Sequence, residues 1–326
     1  MLRSVVAALV AAFVVPLSAL SALSVASAEP ATSARVERVE SVTPRRSAVF
    51  VYSPSMQRVV QVQVLHPAGD APRPSLYLLD GVSAGAESDY RESTWTQRTD
   101  IVDFFADKNV NVVLPVGGTA SYYTDWLAPD PVLGVNAWET FLTKELPPLI
   151  DARFAGNGVN AVGGLSMGAT GAASLIARNP DLYRGVAALS GCLDTSKTSA
   201  QDAVRGTVAY KGGNPDNMWG APGDPAWAAH DPYVLAERLR GKEIFISTGN
   251  GLPGPYDVGP DAEALDVGGP LEVGAFVCTI GFDRRLRELR IPATIVYRPY
   301  GTHSWPYWQD DLRTAWPTLE RALGLD

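Results

Sequence analysis

The chain has 326 residues, a formal net charge of −8 and 46% hydrophobic residues. That length and apolar content suit one large globular unit, and no low-complexity linker divides it. The acidic balance and the lack of basic runs exclude nucleic acid as a partner.

The first residues read as an export signal. Arg3 supplies the charge, Val5 to Val15 the apolar run, and Ala26-Ser27-Ala28 a small-residue cleavage site. Ser18, Ser21, Ser24 and Ser27 interrupt the stretch, whereas a membrane span needs ~20 apolar residues. No later run is long enough to cross a bilayer, and no cysteine follows for a lipid anchor. The expected division is a signal peptide at 1–28, an exposed tether at 29–46 and a single catalytic domain at 47–326. The expected location is secreted, or at the cell envelope.

Val59 to Leu65 alternates as a strand with one polar face. Ser75–Leu79 and Val110–Val116 are short apolar runs ending in turn residues, as buried strands do. Asp100–Ala106 and Trp138–Leu149 read as helices. Val159–Gly163, Val186–Leu189, Glu243–Ser247 and Ala293–Tyr297 read as further strands. Asp231–Leu239 and Leu312–Leu323 read as helices. Residues 192–230 and 250–271 read as long loops rich in glycine and proline. Strands alternating with helices imply a mostly parallel sheet with helices on both faces. Sites in such sheets form at the carboxyl ends of the strands.

Gly164-Leu165-Ser166-Met167-Gly168 is a G-x-S-x-G box between a strand and a small-residue helix. Strand, sharp turn and helix make a nucleophile elbow, and the implied class is the α/β-hydrolase fold. A serine hydroxyl is a weak nucleophile and needs an adjacent base. Of the three histidines, only His303 is late in the chain and directly follows a strand. His66 and His230 read as structural. The acid must lie between Ser166 and His303. Asp257, Asp261, Glu263, Asp266 and Glu272 all follow the Glu243–Ser247 strand, and spacing does not separate them. The oxyanion donors are expected to be the N–H groups of Met167 and Val82, the latter after the Asp80-Gly81 turn.

Cys192 and Cys278 are the only cysteines. In an exported chain an even count implies a disulfide. Closing so long a loop stabilises by ~4 kcal/mol in the chain-entropy model.

Several stretches together resemble a known family, the mycolyltransferases of mycolic-acid bacteria: the antigen 85 proteins and their corynebacterial and nocardial relatives. They are Val51–Met56, Tyr77–Gly81, Leu114–Gly118, Tyr123–Trp126, Trp138–Leu142, Gly164–Met167, Asn217–Gly220, Asp224–Trp227, Gly249–Gly251 and Gly301–Trp308. The resemblance implies Glu272 as the acid, Asp80 as a sugar-binding aspartate, and Ser304 and Trp305 as neighbours of the substrate. It departs at Ser83, where the antigen 85 proteins carry an arginine, and at Thr248, where they carry a cysteine. The cysteine pair is like that of the corynebacterial branch. A bridge there would anchor the segment bearing Glu272 to the Ser190 strand end.

The resemblance implies an acyltransferase that moves a mycolyl group from trehalose monomycolate, through acyl-Ser166, to a sugar hydroxyl. The acceptor would be trehalose monomycolate or arabinogalactan. This two-step scheme needs no metal or cofactor. One alternative is a carboxylesterase using water as acceptor. The other is a surface-binding protein with a relic triad.

Overall fold

A computed structural model describes residues 33–258 and 265–326. The signal-peptide reading of residues 1–28 lies outside them. Among the described residues, strands β1 (Arg35–Thr43), β2 (Arg46–Ser53), β3 (Arg58–Leu65), β4 (Arg73–Leu79), β5 (Asn111–Val116), β6 (Gly156–Leu165), β7 (Tyr183–Leu189), β8 (Glu243–Thr248) and β9 (Thr294–Tyr297) form one sheet. Their order is β1-β2-β3-β5-β4-β6-β7-β8-β9. The first three pair antiparallel, and β3 also meets β5 antiparallel. From β5 to β9 every pairing is parallel. The carboxyl ends of six strands therefore share one rim, as the α/β reading requires.

β4 and β5 are buried along their whole length. Their continuous apolar runs are what two covered faces demand. On one face lie the helices Leu146–Arg153, Met167–Arg178 and Leu265–Glu288, packed through Ile150, Leu175, Ile176 and Phe282. On the other lies the closing helix Trp305–Leu323, which buries Trp308, Leu312, Trp316 and Leu319 with Trp95 and Phe105. Each such side chain stabilises the fold by roughly 1.5–3 kcal/mol on burial.

Four expectations change. The tether reading of residues 29–46 fails from Arg35 onward, because Arg35–Thr43 is β1 and β2 begins at Arg46. Two register shifts, between Val36 and Arg38 and between Ser41 and Thr43, break the alternation by which a strand is recognised. The stretch 192–230 is not a plain loop: it holds the helices Thr198–Tyr210, Asp216–Trp219 and Pro225–Ala229. The helix read at Asp231–Leu239 shrinks to a 3₁₀ turn at Ala236–Leu239. The Trp138–Leu149 helix runs on to Arg153, with a π turn at Phe141–Glu145 just before Pro147 and Pro148. Neither proline has an N–H to donate, and the wider turn absorbs the break.

β1 covers an edge that β2 would otherwise expose. Deleting residues 29–43 is expected to lower the melting temperature by about 4 °C or more and to raise light scattering. Unchanged melting and scattering would return the segment to the status of a tether.

Candidate active site

Ser166 stands between β6 and the helix Met167–Arg178 with φ 53° and ψ −121°. A non-glycine residue in that region is strained by ~1–3 kcal/mol, and close packing must hold it there. The box glycines allow that packing. A Cβ on Gly164 would lie 2.5 Å from the Gly168 carbonyl, and one on Gly168 would run into the Asp80 carbonyl oxygen. The Ser166 N–H donates to the Leu189 carbonyl at 2.8 Å, which fixes the turn to β7.

His303 lies in the loop between β9 and the closing helix, and its N–H donates to the Gly268 carbonyl at 3.1 Å. Its Nε2 is 2.8 Å from Ser166 Oγ, and its Nδ1 is 2.8 Å from Glu272 Oε2. The Trp308 ring meets the imidazole edge-on at 4.9 Å. The structure thus joins Ser166, His303 and Glu272 in one chain of hydrogen bonds.

Glu272 is fully buried on the helix Leu265–Glu288. Its Oε1 accepts from Ser190 Oγ at 2.7 Å, Thr248 Oγ1 at 3.2 Å, the Gly249 N–H at 2.5 Å and Arg298 Nη2 at 3.0 Å. Burial pushes this carboxyl up, but the bonds and charge of His303, with Gly249 and Ser190, outweigh it and hold the group below its ordinary value. The Thr248 departure therefore has a structural use: the hydroxyl becomes a donor to the acid. Among the rivals, Asp257 is buried and bonded to Thr302 and Tyr307, both at 2.5 Å. Asp261 and Glu263, and the side chain of Asp266, lie outside the described residues.

Sequence reasoning missed Ser190, Arg298 and Trp308. Ser190 also accepts from Trp308 Nε1 at 3.0 Å. The Arg298 guanidinium lies 4.7 Å over the Tyr307 ring, with Nε 3.5 Å from Asp311 Oδ1. Burial pushes Asp311 up to about 6, against the pull of Arg298 and of the Ser247 hydroxyl. A strand-end arginine carries no motif, so only the fold reveals its partner.

A cavity of about 340 Å³ opens over Ser166 and His303. Its lining includes the polar side chains of Ser83, Glu87, Thr94 and Arg98 and the apolar ones of Leu165, Trp305 and Trp308. Gly81 and Val82 also line it. Among the described residues, the Val82 and Met167 N–H groups have no backbone acceptor. His66 instead meets Ser47 Oγ at 3.1 Å, and His230 stacks on Trp219 at 5.2 Å, both as structural histidines. Cys192 and Cys278 are bonded, with Cα atoms 5.0 Å apart.

Two residues expected at the substrate are buried in the fold. Asp80 is 1% exposed and is not among the residues lining the cavity. Its carboxylate accepts from Ser93 Oγ at 2.8 Å and the Thr94 N–H at 2.9 Å, tying the Gly81-Val82 turn to the helix Thr94–Arg98. Burial raises it to about 6 despite those bonds. Ser304 is also buried, at the start of the closing helix, and does not line the cavity. Trp305 does line it.

With this geometry in place, comparison with known proteins is specific. The esterase family profile (putative esterase) matches residues 53–319. The diacylglycerol acyltransferase/mycolyltransferase Ag85A of Mycobacterium tuberculosis is 34% identical over 293 residues, covering 84% of this chain and 80% of its own. The Ag85B enzyme of Mycolicibacterium smegmatis is 34% identical, covering 85% of each. The chain belongs to the diacylglycerol acyltransferase/mycolyltransferase family. The crystal structure of Mycobacterium tuberculosis MPT51 (FbpC1) superposes with a TM-score of 0.70 at 28% identity, covering 83% of this chain and 96% of that one. FphF of Staphylococcus aureus, a serine hydrolase at 17% identity and TM-score 0.63, shares the fold.

For this family member, Asp80 and Arg298 generate separate tests. The Asp80 carboxyl is raised in the fold, so its stability contribution is full below about pH 4 and lost as pH rises through about 6. Asp80→Asn is expected to flatten that part of the stability–pH curve and to lower kcat, with acceptor KM unchanged. A rise in acceptor KM alone would make Asp80 a sugar contact. Arg298→Met is expected to lower kcat/KM about ten-fold or more, given the strength of charged hydrogen bonds, with Arg298→Lys recovering part. Equal activity in all three proteins would remove Arg298 from the positioning of Glu272.

Proposed function

We propose that the chain is an acyltransferase that moves a mycolyl group from trehalose monomycolate through an ester on Ser166. His303 Nε2 takes the Ser166 proton as Oγ attacks the ester carbonyl, and Glu272 holds the imidazole by Nδ1 and balances the charge that forms. The N–H groups of Val82 and Met167 receive the oxyanion, helped by the helix dipole at Met167. His303 then protonates the departing trehalose alcohol. A second sugar hydroxyl gives its proton to His303 as it attacks acyl-Ser166, and His303 returns that proton to the departing Ser166 Oγ, so protons balance across the cycle. The acceptor is trehalose monomycolate or cell-wall arabinogalactan. The site of action is outside the cell or at the envelope, supported by the export pattern at 1–28 and by the cystine.

The observation that carries this reading is the mixed lining of the cavity over the triad. Ser83, Glu87, Thr94 and Arg98 offer a sugar hydrogen-bond partners, while Leu165, Trp305 and Trp308 offer an acyl chain apolar surface. Arg98 pairs with Glu87 at 3.2 Å, so an arginine stands at this rim although Ser83 replaces the one expected there.

The test is product analysis from one acyl-trehalose donor with several sugar acceptors. Transfer to a sugar is expected, together with complete loss in Ser166→Ala. Release of free fatty acid alone would make the protein a carboxylesterase, and an inert Ser166 toward a fluorophosphonate probe would leave a surface-binding role.

A further inference from the structure

A second cavity, of about 540 Å³, lies apart from the one over Ser166. It is lined by residues of β1, β2 and β3, by Val116 at the end of β5 and by Gly117, Gly118 and Thr119 after it. Thr119 lines the larger cavity and donates to the carbonyl of Ser83, which lines the catalytic one, at 3.1 Å. The Gly117 N–H donates to the Ala84 carbonyl at 2.8 Å between the same two segments.

The donors facing this space are unusual for a chain of net charge −8. The neutral ones are committed. Tyr90 and Thr119 bond each other at 2.9 Å, Gln61 Nε2 donates to the Arg91 carbonyl at 2.8 Å, and Asn136 Nδ2 donates to the Leu133 carbonyl at 3.3 Å. Two guanidiniums remain. Arg58 has no carboxylate within ion-pair distance among the described residues; its one side-chain partner is the weak acceptor Met56 Sδ at 3.5 Å. It sits 5.8 Å from the Trp138 ring, at the outer limit of a cation–π contact. Arg38 lies 3.5 Å over Phe50 and engages Glu40 through Nε alone, at 2.7 Å. Burial depresses Arg58 from its ordinary value, as expected of a guanidinium without a counter-charge.

Arg58, without a counter-charge among the described residues, and the Nη groups of Arg38, beyond its Nε bond to Glu40, suit an anionic acceptor, and phosphate fits the guanidinium fork best. Phe50, Val59 and Val132 add an apolar flank. We propose that this cavity is a binding site for a phosphate ester, held by Arg58 and Arg38 with its carbon portion on that flank. The phosphate is either that of a soluble sugar or polyol ester or that of an anionic lipid headgroup.

The test measures binding on the Ser166→Ala protein, so it stands whether the enzyme proves to be a transferase or a hydrolase. Calorimetric titration with glycerol 3-phosphate, with glycerol as control, is one arm. Co-sedimentation with phosphatidylglycerol vesicles, against phosphatidylcholine vesicles, is the other. Saturable binding in at least one arm is expected, weakened about ten-fold or more in Arg58→Met and partly retained in Arg58→Lys. Val132 is 64% exposed, so Val132→Trp fills the mouth without touching the core, and it is expected to block binding too. Binding of the soluble ester alone, or of the vesicles alone, identifies the source. No binding in either arm, or binding indifferent to Arg58→Met and Val132→Trp, overturns the proposal.

Discussion

A carboxylate with no exposure to water is the constraint on which the site depends. Glu272 would cost several kcal/mol to bury ionised and unpartnered. It is held instead by donors from four places: Ser190 at the end of β7, Thr248 and Gly249 at the end of β8, Arg298 just past β9, and His303 on the following loop. The same bonds that keep it charged fasten the carboxyl ends of neighbouring strands together. The acid is thus both a member of the triad and the tie of its frame.

The serine side of the site is built by exclusion rather than by charge. Gly164 and Gly168 let β6, the elbow helix and the strand-end backbone of Asp80 approach to distances that a Cβ forbids, and Gly81 packs closely on Leu165. That closeness sustains the left-handed conformation of Ser166 and aims Oγ at His303. Asp80 supports it from below by tying the turn to Ser93 and Thr94. The residue expected at the sugar also braces the oxyanion loop through these bonds.

The parallel strands were legible because buried strands are written as unbroken apolar runs. Ser166 and His303 were legible because a strained elbow and a late loop leave local signatures. Glu272 was not separable from four other carboxylates by spacing, since its distinction is three-dimensional: donors from four segments converge on it. Only its likeness to a known family pointed there. Arg298 had no such guide. β1 was hidden by its own bulges, which place Val36, Val39 and Val42 three apart instead of two. The helix Thr198–Tyr210 was hidden by a weak stripe of Ala200, Val204 and Val208 in a glycine- and proline-rich setting.

The Cys192–Cys278 bond makes a covalent ring of the chain between them. Glu272 and β8 lie inside that ring, while Ser166 and His303 lie outside it. The stretch after β8 is open to proteases, with Leu252 at 62% exposure. A cut there opens the ring but frees no fragment. The nicked protein stays one molecule, and the acid-bearing helix remains tethered to Cys192, beside the point where Gly191 packs on Ala169 at the elbow. Endurance under proteolysis is then a matter of chain connectivity as much as of stiffness.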